Sequence, residues 1–198
     1  MIGLLLVAAA LSLSGYNLWD EHRAAESVEG AMSELITMIP DLDAVEQPSD
    51  PSEVKIPDYI LNPKMDMPAV EVQNYDYVGF LSIPTLGMRL PVMSEWSYPL
   101  LKQAPCRYSG TAYQNDLVIA AHNYRQHFGP LPALQIGDAV NFTDVDGNVF
   151  HYTVGELEEL EPSKTYEMIK SDWDLTLFTC NMTGQLRFTV RCALVEEG

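Results

Sequence analysis

Apolar and polar positions divide the chain into three stretches of different periodicity. Residues 2–19, IGLLLVAAALSLSGYNLW, are almost uninterruptedly apolar and carry no charged side chain before Asp20. About 20 such residues suffice to cross a bilayer as a helix. Tyr16 and Trp19 stand where an interfacial aromatic pair belongs, so the segment reads as a membrane anchor over 1–19. A cleaved signal peptide, with its apolar run of about 7–15 residues, is the competing reading. Beyond Trp19, Val28, Met32, Leu35 and Ile39 recur at helical spacing, which predicts an amphipathic juxtamembrane helix over 20–40 that ends at Pro40.

Six prolines between Pro40 and Pro68 then block both helix and central strand, so 41–74 reads as a Pro-rich acidic linker or lid. From residue 75 to 198 the pattern changes to short β-branched and aromatic runs: YVGFLSIP, MRLPV, DLVIAAH, AVNFTD, NVFHYTVGEL, WDLTLFTC and LRFTVRCALVEE. Seven or so strands with few helices predict an all-β sandwich or barrel. Short helices fit around Tyr98–Gln103 and Pro130–Leu134. Asp146-Gly147 predicts a type I′ hairpin and Thr183-Gly184 a second tight turn.

Charge narrows the function. With 28 acidic against 11 basic residues and a net charge of −17, the chain lacks the clustered Lys and Arg that nucleic acid requires. Three cysteines, Cys106, Cys180 and Cys192, leave at least one thiol unpaired within the chain. A Cys106–Cys192 disulfide is arithmetically possible, and two small buried hydrophobes are the plainer alternative.

Candidate chemistry gathers at strand ends. Leu175-Thr176-Leu177-Phe178-Thr179-Cys180 alternates as a strand and finishes on a cysteine, and His122 finishes the run Leu117–Ala121 in the same way. A nucleophilic cysteine needs a base or positive field, because a free thiol ionises only near pH ~8.5. Arg187 follows Cys180 across the Thr183-Gly184 turn, which would bring the two onto neighbouring strands. Arg191, four residues on, shares Arg187's face and competes for its role. His127 with His122 and Cys180 makes a poor zinc pattern, the acidic residues around 144–161 lack an ordered calcium-loop pattern, and no cofactor or metal is expected. His151 alternates toward solvent, and Trp173 and Asp174 read as cap and core.

Taken in order, Gly79–Pro84, Ala104–Gly110, Ala121-His122-Asn123, Gly137-Asp138, Thr176–Cys180 as a TLxTC signature, and Arg187 resemble the sortases over about Tyr77 to Leu194. The resemblance implies a closed sortase-type β-barrel of about eight strands with short helices, preceded by the transmembrane or stalk helix. It implies a cysteine transpeptidase that cleaves an LPxTG-like sorting signal of secreted surface proteins through a thioacyl-enzyme. The Thr carbonyl then passes to a peptidoglycan precursor or pilin amine. Cys180 matches the nucleophile, His122 the proton carrier and Arg187 the oxyanion partner; Thr179 is a weaker oxyanion candidate, and Ala121, Leu177 and Phe178 would pack the rim. The implied location is the cell membrane, single-pass, with the catalytic domain extracellular. The short segment between Cys180 and Arg187 and the lack of an Asp-Pro-aromatic lid signature lean toward a housekeeping or class D-like enzyme. An L,D-transpeptidase, a papain-like hydrolase and a non-enzymatic barrel that binds surface proteins are the alternatives, and the order of His122 before Cys180 fits the first two poorly.

Overall fold

Nine strands and four α-helices make up the computed structural model, which describes residues 2–40, 56–170, 172–181 and 183–195. Helix α1 spans Ile2–Met38, α2 Asp58–Leu61, α3 Tyr98–Leu101 and α4 Thr165–Ile169. The strands are β1 Val70–Val72, β2 Tyr75–Ile83, β3 Met88–Met93, β4 Cys106–Ser109 and β5 Leu117–Ala120, then β6 Ala139–Asp144, β7 Val149–Leu160, β8 Leu175–Cys180 and β9 Arg187–Leu194. Their order is β1-β2-β3-β4-β5-β8-β9-β7-β6, and a further β2–β6 pairing closes β2 to β9 into an eight-stranded barrel with β1 added outside. The expected all-β class and strand number both hold.

Closure leaves no free edge among β2 to β9 and gives each of these strands an inner and an outer side. Leu81, Ile83, Leu117, Ile119, Phe142, Tyr152, Leu175, Leu177, Val190 and Cys192 fill the interior. Two strands escaped the periodicity: β4 is only four residues long, and β1 lies in the segment expected to be linker. Gln73 and Asn74 both take positive φ (51° and 66°) between paired Val72 and Tyr75, which makes the β1–β2 hairpin the tight type I′ turn. The β6–β7 turn is not one, because Gly147 alone has positive φ there (86°). Asp144 builds it instead, accepting from Asp146 N (3.0 Å), Asn148 N (2.8 Å), Asn148 Nδ2 (2.8 Å) and Tyr113 Oη (2.8 Å).

Part of the expected linker is therefore structured on the barrel. Tyr59 stacks on Tyr113 at 4.7 Å between ring centres, and β1 pairs with β2. Residues 41–55 of the linker lie outside the described residues.

The two N-terminal segments form one helix, α1. Its second half buries Ala24, Val28, Ala31, Met32 and Leu35, and the buried stripe begins four residues earlier at Asp20. The first half needs a correction. Among the described residues no helix is long and apolar enough to cross a membrane. Gly3, Ser12, Ser14, Gly15 and Asn17 dilute the hydrophobicity that the leucines supply.

Candidate active site

The parallel β5–β8 register pairs Val118 with Thr176 and Ala120 with Phe178, and a hydrogen bond from Ala121 N to Phe178 O (3.2 Å) prolongs it. Two residues further along each strand come His122 and Cys180. On the other side of β8, the antiparallel register sets Cys180 directly opposite Arg187. His122, two residues past the end of β5, Cys180, the last residue of β8, and Arg187, the first of β9, thus come to one end of three neighbouring strands, with the cysteine in the middle. Asn123 Nδ2 donates to Asn181 O (3.5 Å) and links the loops that leave β5 and β8.

Side-chain parity decides what lines this site. Neighbours on a strand face opposite ways. Leu177 and Ala121 belong to the barrel core, so they sit on the side opposite Phe178 and Ala120 and do not form the rim expected of them. Thr179 is likewise buried on the inner side, with no partner for its Oγ1. The outer face carries a separate apolar cluster of Val118, Ala120, Phe178, Leu160 and Met168, flanked by Leu101 and Tyr108. Tyr108 meets Phe178 edge-on at 5.1 Å. Counting back by twos from Cys180 reaches Phe178 and Thr176, so the β8 share of this face was readable in the sequence; Leu160, Met168 and Tyr108 reach it only through the fold.

Arg191, the competitor of Arg187, is committed elsewhere in the fold. It is buried and fully engaged: Nε to Glu158 Oε1 (2.8 Å), Nη1 to Thr176 Oγ1 (2.9 Å) and Met168 O (3.3 Å), Nη2 to Glu167 O (2.9 Å). These bonds hold α4 over the outer apolar cluster. Arg187, half-buried, directs Nη1 toward Leu186 O (3.4 Å) and Gly184 O (3.5 Å) in the turn after β8.

All three cysteines are free, so the Cys106–Cys192 bridge does not form. Cys106 packs in the core with Sγ 3.4 Å from Ala104 O, and burial pushes both its thiol and that of Cys192 up to about 12. Cys180 alone is partly exposed. His122 is half-buried with no partner for Nε2. Burial holds its pKa below the usual imidazole range; Asp20 acts against that shift and Lys102 adds to it. The neutral ring is therefore favoured.

His127, five residues on, is wholly buried. No group meets hydrogen-bond geometry at either ring nitrogen, and although the Gln103 backbone favours the charged form, burial and then His122 push its pKa down to about 3. Because the folded pKa lies below the unfolded value, this group's stabilisation is complete above about pH 6.5 and is lost as pH falls toward 3. Melting temperatures are expected to fall across that window by the equivalent of roughly a few kcal/mol, and a His127→Phe variant should flatten the fall. Equal slopes for both proteins would contradict this account.

His151 bonds Asn141 Oδ1 (2.8 Å) on the surface, as expected. Among the described residues, no three His, Cys, Asp or Glu side chains converge to hold a metal ion. A cleft of ≈ 510 Å³ lined by Glu95, Trp96, Arg107 and Tyr108 meets the site face only through Tyr108.

Residues 81–195 match the family model described as the Sortase domain. The fold is similar to that of a Clostridium perfringens sortase D5 transpeptidase, at 22% identity over 61% of this chain and 80% of that one, with a TM-score of 0.55. It is also similar to sortase C-1 from Streptococcus pneumoniae (23% identity, 69% and 80% covered, TM-score 0.55) and sortase C1 from Streptococcus suis (24%, 62% and 74%, 0.53). No curated protein matches the chain.

Proposed function

Since this chain belongs to the sortase family and is a cysteine transpeptidase, we propose that Cys180, His122 and Arg187 carry its reaction on an LPxTG-like sorting signal. The observation behind this reading is the register that sets Cys180 opposite Arg187 and brings the segment following β5, with His122, alongside the end of β8. As the Cys180 sulfur attacks the scissile Thr carbonyl carbon, its proton passes to His122, which is neutral at rest. As the tetrahedral species collapses the C–N bond breaks, and the protonated His122 gives that proton to the leaving amine. A thioester remains on Cys180. An incoming amine attacks it, passes a proton to neutral His122 and displaces the thiolate, which takes the proton from His122, so the enzyme returns to its starting state.

Arg187 stabilises the oxyanion once its guanidinium turns from the Gly184 and Leu186 carbonyls toward Cys180, a movement within one side chain's reach. One such donor is typically worth ~3–4 kcal/mol in the transition state. The outer cluster around Phe178 and Met168 receives the apolar part of the signal and keeps water from the thioester. The acceptor is an amine of the cell wall or of a pilin, and the enzyme is class D-like. Leu4, Leu5, Leu6, Val7, Leu11, Leu13, Leu18 and Trp19 are all exposed, a continuous apolar surface that fits attachment to membrane lipid with the catalytic domain outside.

The test incubates the full chain in detergent with a pentapeptide library and a tagged primary amine, and reads products by mass spectrometry. Amide products joining the Thr carbonyl to the tag are expected. Hydrolysis without any amine incorporation would favour a peptidase instead.

A further inference from the structure

The expectation for α1 was a stalk, yet its first two turns after Trp19 grip the loop that carries His122. Asp20 is buried, only 7% exposed, and two partners hold its carboxylate. The Tyr124 hydroxyl donates to Oδ2 (2.5 Å) and Arg23 Nη2 donates to Oδ1 (3.0 Å). Next to it, Glu21 Oε1 accepts from Arg125 N (2.9 Å). Arg23 Nη2 reaches Lys102 O (3.3 Å) and Ser27 Oγ donates to Gln103 Oε1 (3.1 Å), which ties the segment after α3 into the same contact. The Tyr124 ring stacks on the His122 ring at 4.8 Å and 28°.

A half-buried imidazole with an unpartnered Nε2 needs something other than a hydrogen bond to hold its plane. The tyrosine face does that only while its hydroxyl is tethered. A carboxylate on a helix 104 residues away in sequence supplies the tether. Burying that carboxylate is costly unless it is paired, and both its oxygens are.

We propose that α1 is part of the active site, with Asp20, acting through the Tyr124 hydroxyl, as a positioning residue that orients His122 beside Cys180. This rests on the reading of His122 as the proton carrier. The charged and titratable groups that act on that ring are Asp20 on α1, itself bonded to Arg23, Lys102 after α3, and Tyr124 and His127 on its own loop. Among them Asp20 favours the imidazolium, and it is the group the tether brings in.

The experiment measures kcat, KM and the pH profile of full-length variants, together with NMR titration of the four histidines. Asp20→Ala and Tyr124→Phe are each expected to lower kcat about tenfold, part of the ~10²–10⁴-fold that acid–base catalysis contributes, and to leave KM within about twofold. The double variant should be no worse than either single one, because both cut one connection. Asp20→Asn, which keeps an acceptor for Tyr124 but removes the charge, should recover most of kcat while His122 titrates at lower pH than in the native protein. Unchanged kcat with an unmoved His122 resonance in Asp20→Ala overturns the proposal, as do losses that simply add or appear in KM. If Asp20→Ala does not fold, Tyr124→Phe, which keeps the stacked ring, decides alone. Should the native protein transfer no acyl group, NOEs between the His122 and Tyr124 rings in Asp20→Ala still read the positioning: their loss supports it and their retention ends it.

Discussion

A Cys180→Ala variant is expected to lose transpeptidation by about 10⁴-fold or more, because the step it removes, formation of the thioester, has no substitute in the protein. Cys106 and Cys192 are fully buried, and their thiols, pushed up to about 12, stay protonated at neutral pH. A thiol reagent should therefore add once to the native protein and not at all to the variant. It should also block product formation in proportion to the fraction labelled. Transpeptidation by Cys180→Ala, or a second label under native conditions, would remove Cys180 from the role given to it. The measurement is intact-mass spectrometry of labelled protein beside a timed peptide–amine assay.

The largest effect on stability is expected at Arg191. Its guanidinium is 3% exposed and bonds one carboxylate, one hydroxyl and two backbone carbonyls. An Arg191→Leu substitution leaves Glu158, Thr176 and the carbonyls of Glu167 and Met168 facing an apolar side chain. Removing one partner of a buried pair typically costs about 3–5 kcal/mol. In a protein of 198 residues that corresponds to a fall in melting temperature of roughly 10 °C. Since those carbonyls belong to α4, the variant should also loosen Met168 over the outer cluster and raise KM for peptide. A melting temperature within about 2 °C of native would mean the network contributes little.

The seven expected strand segments are all strands because their β-branched and aromatic residues sit at period two, which needs no partner to be visible. Strand β4 was missed because Cys106–Ser109 is too short to show a period, and β1 because the prolines around it argue for linker. The same parity, carried back from Cys180, separates Phe178 on the site face from Leu177 and Thr179 inside. Of the three residues expected to pack the rim, Phe178 lies on the outer face and Ala121 and Leu177 in the core, because neighbours in a strand face opposite ways. The commitment of Arg191 to Glu158 and α4 could not be read from the sequence, because spacing along the chain does not connect those residues to β9.

Local periodicity by itself determined the β class, the docked stripe of α1, and the strand ends on which Cys180 and His122 stand. Those are properties of a few consecutive residues, set by how side chains alternate along one element. Tertiary structure alone decided the closure of β2 on β6, the freedom of all three thiols, the commitment of Arg191 to α4 and the contact of Asp20 with Tyr124. Each joins groups distant in the chain, and such pairings follow from which surfaces pack together rather than from any spacing along the sequence.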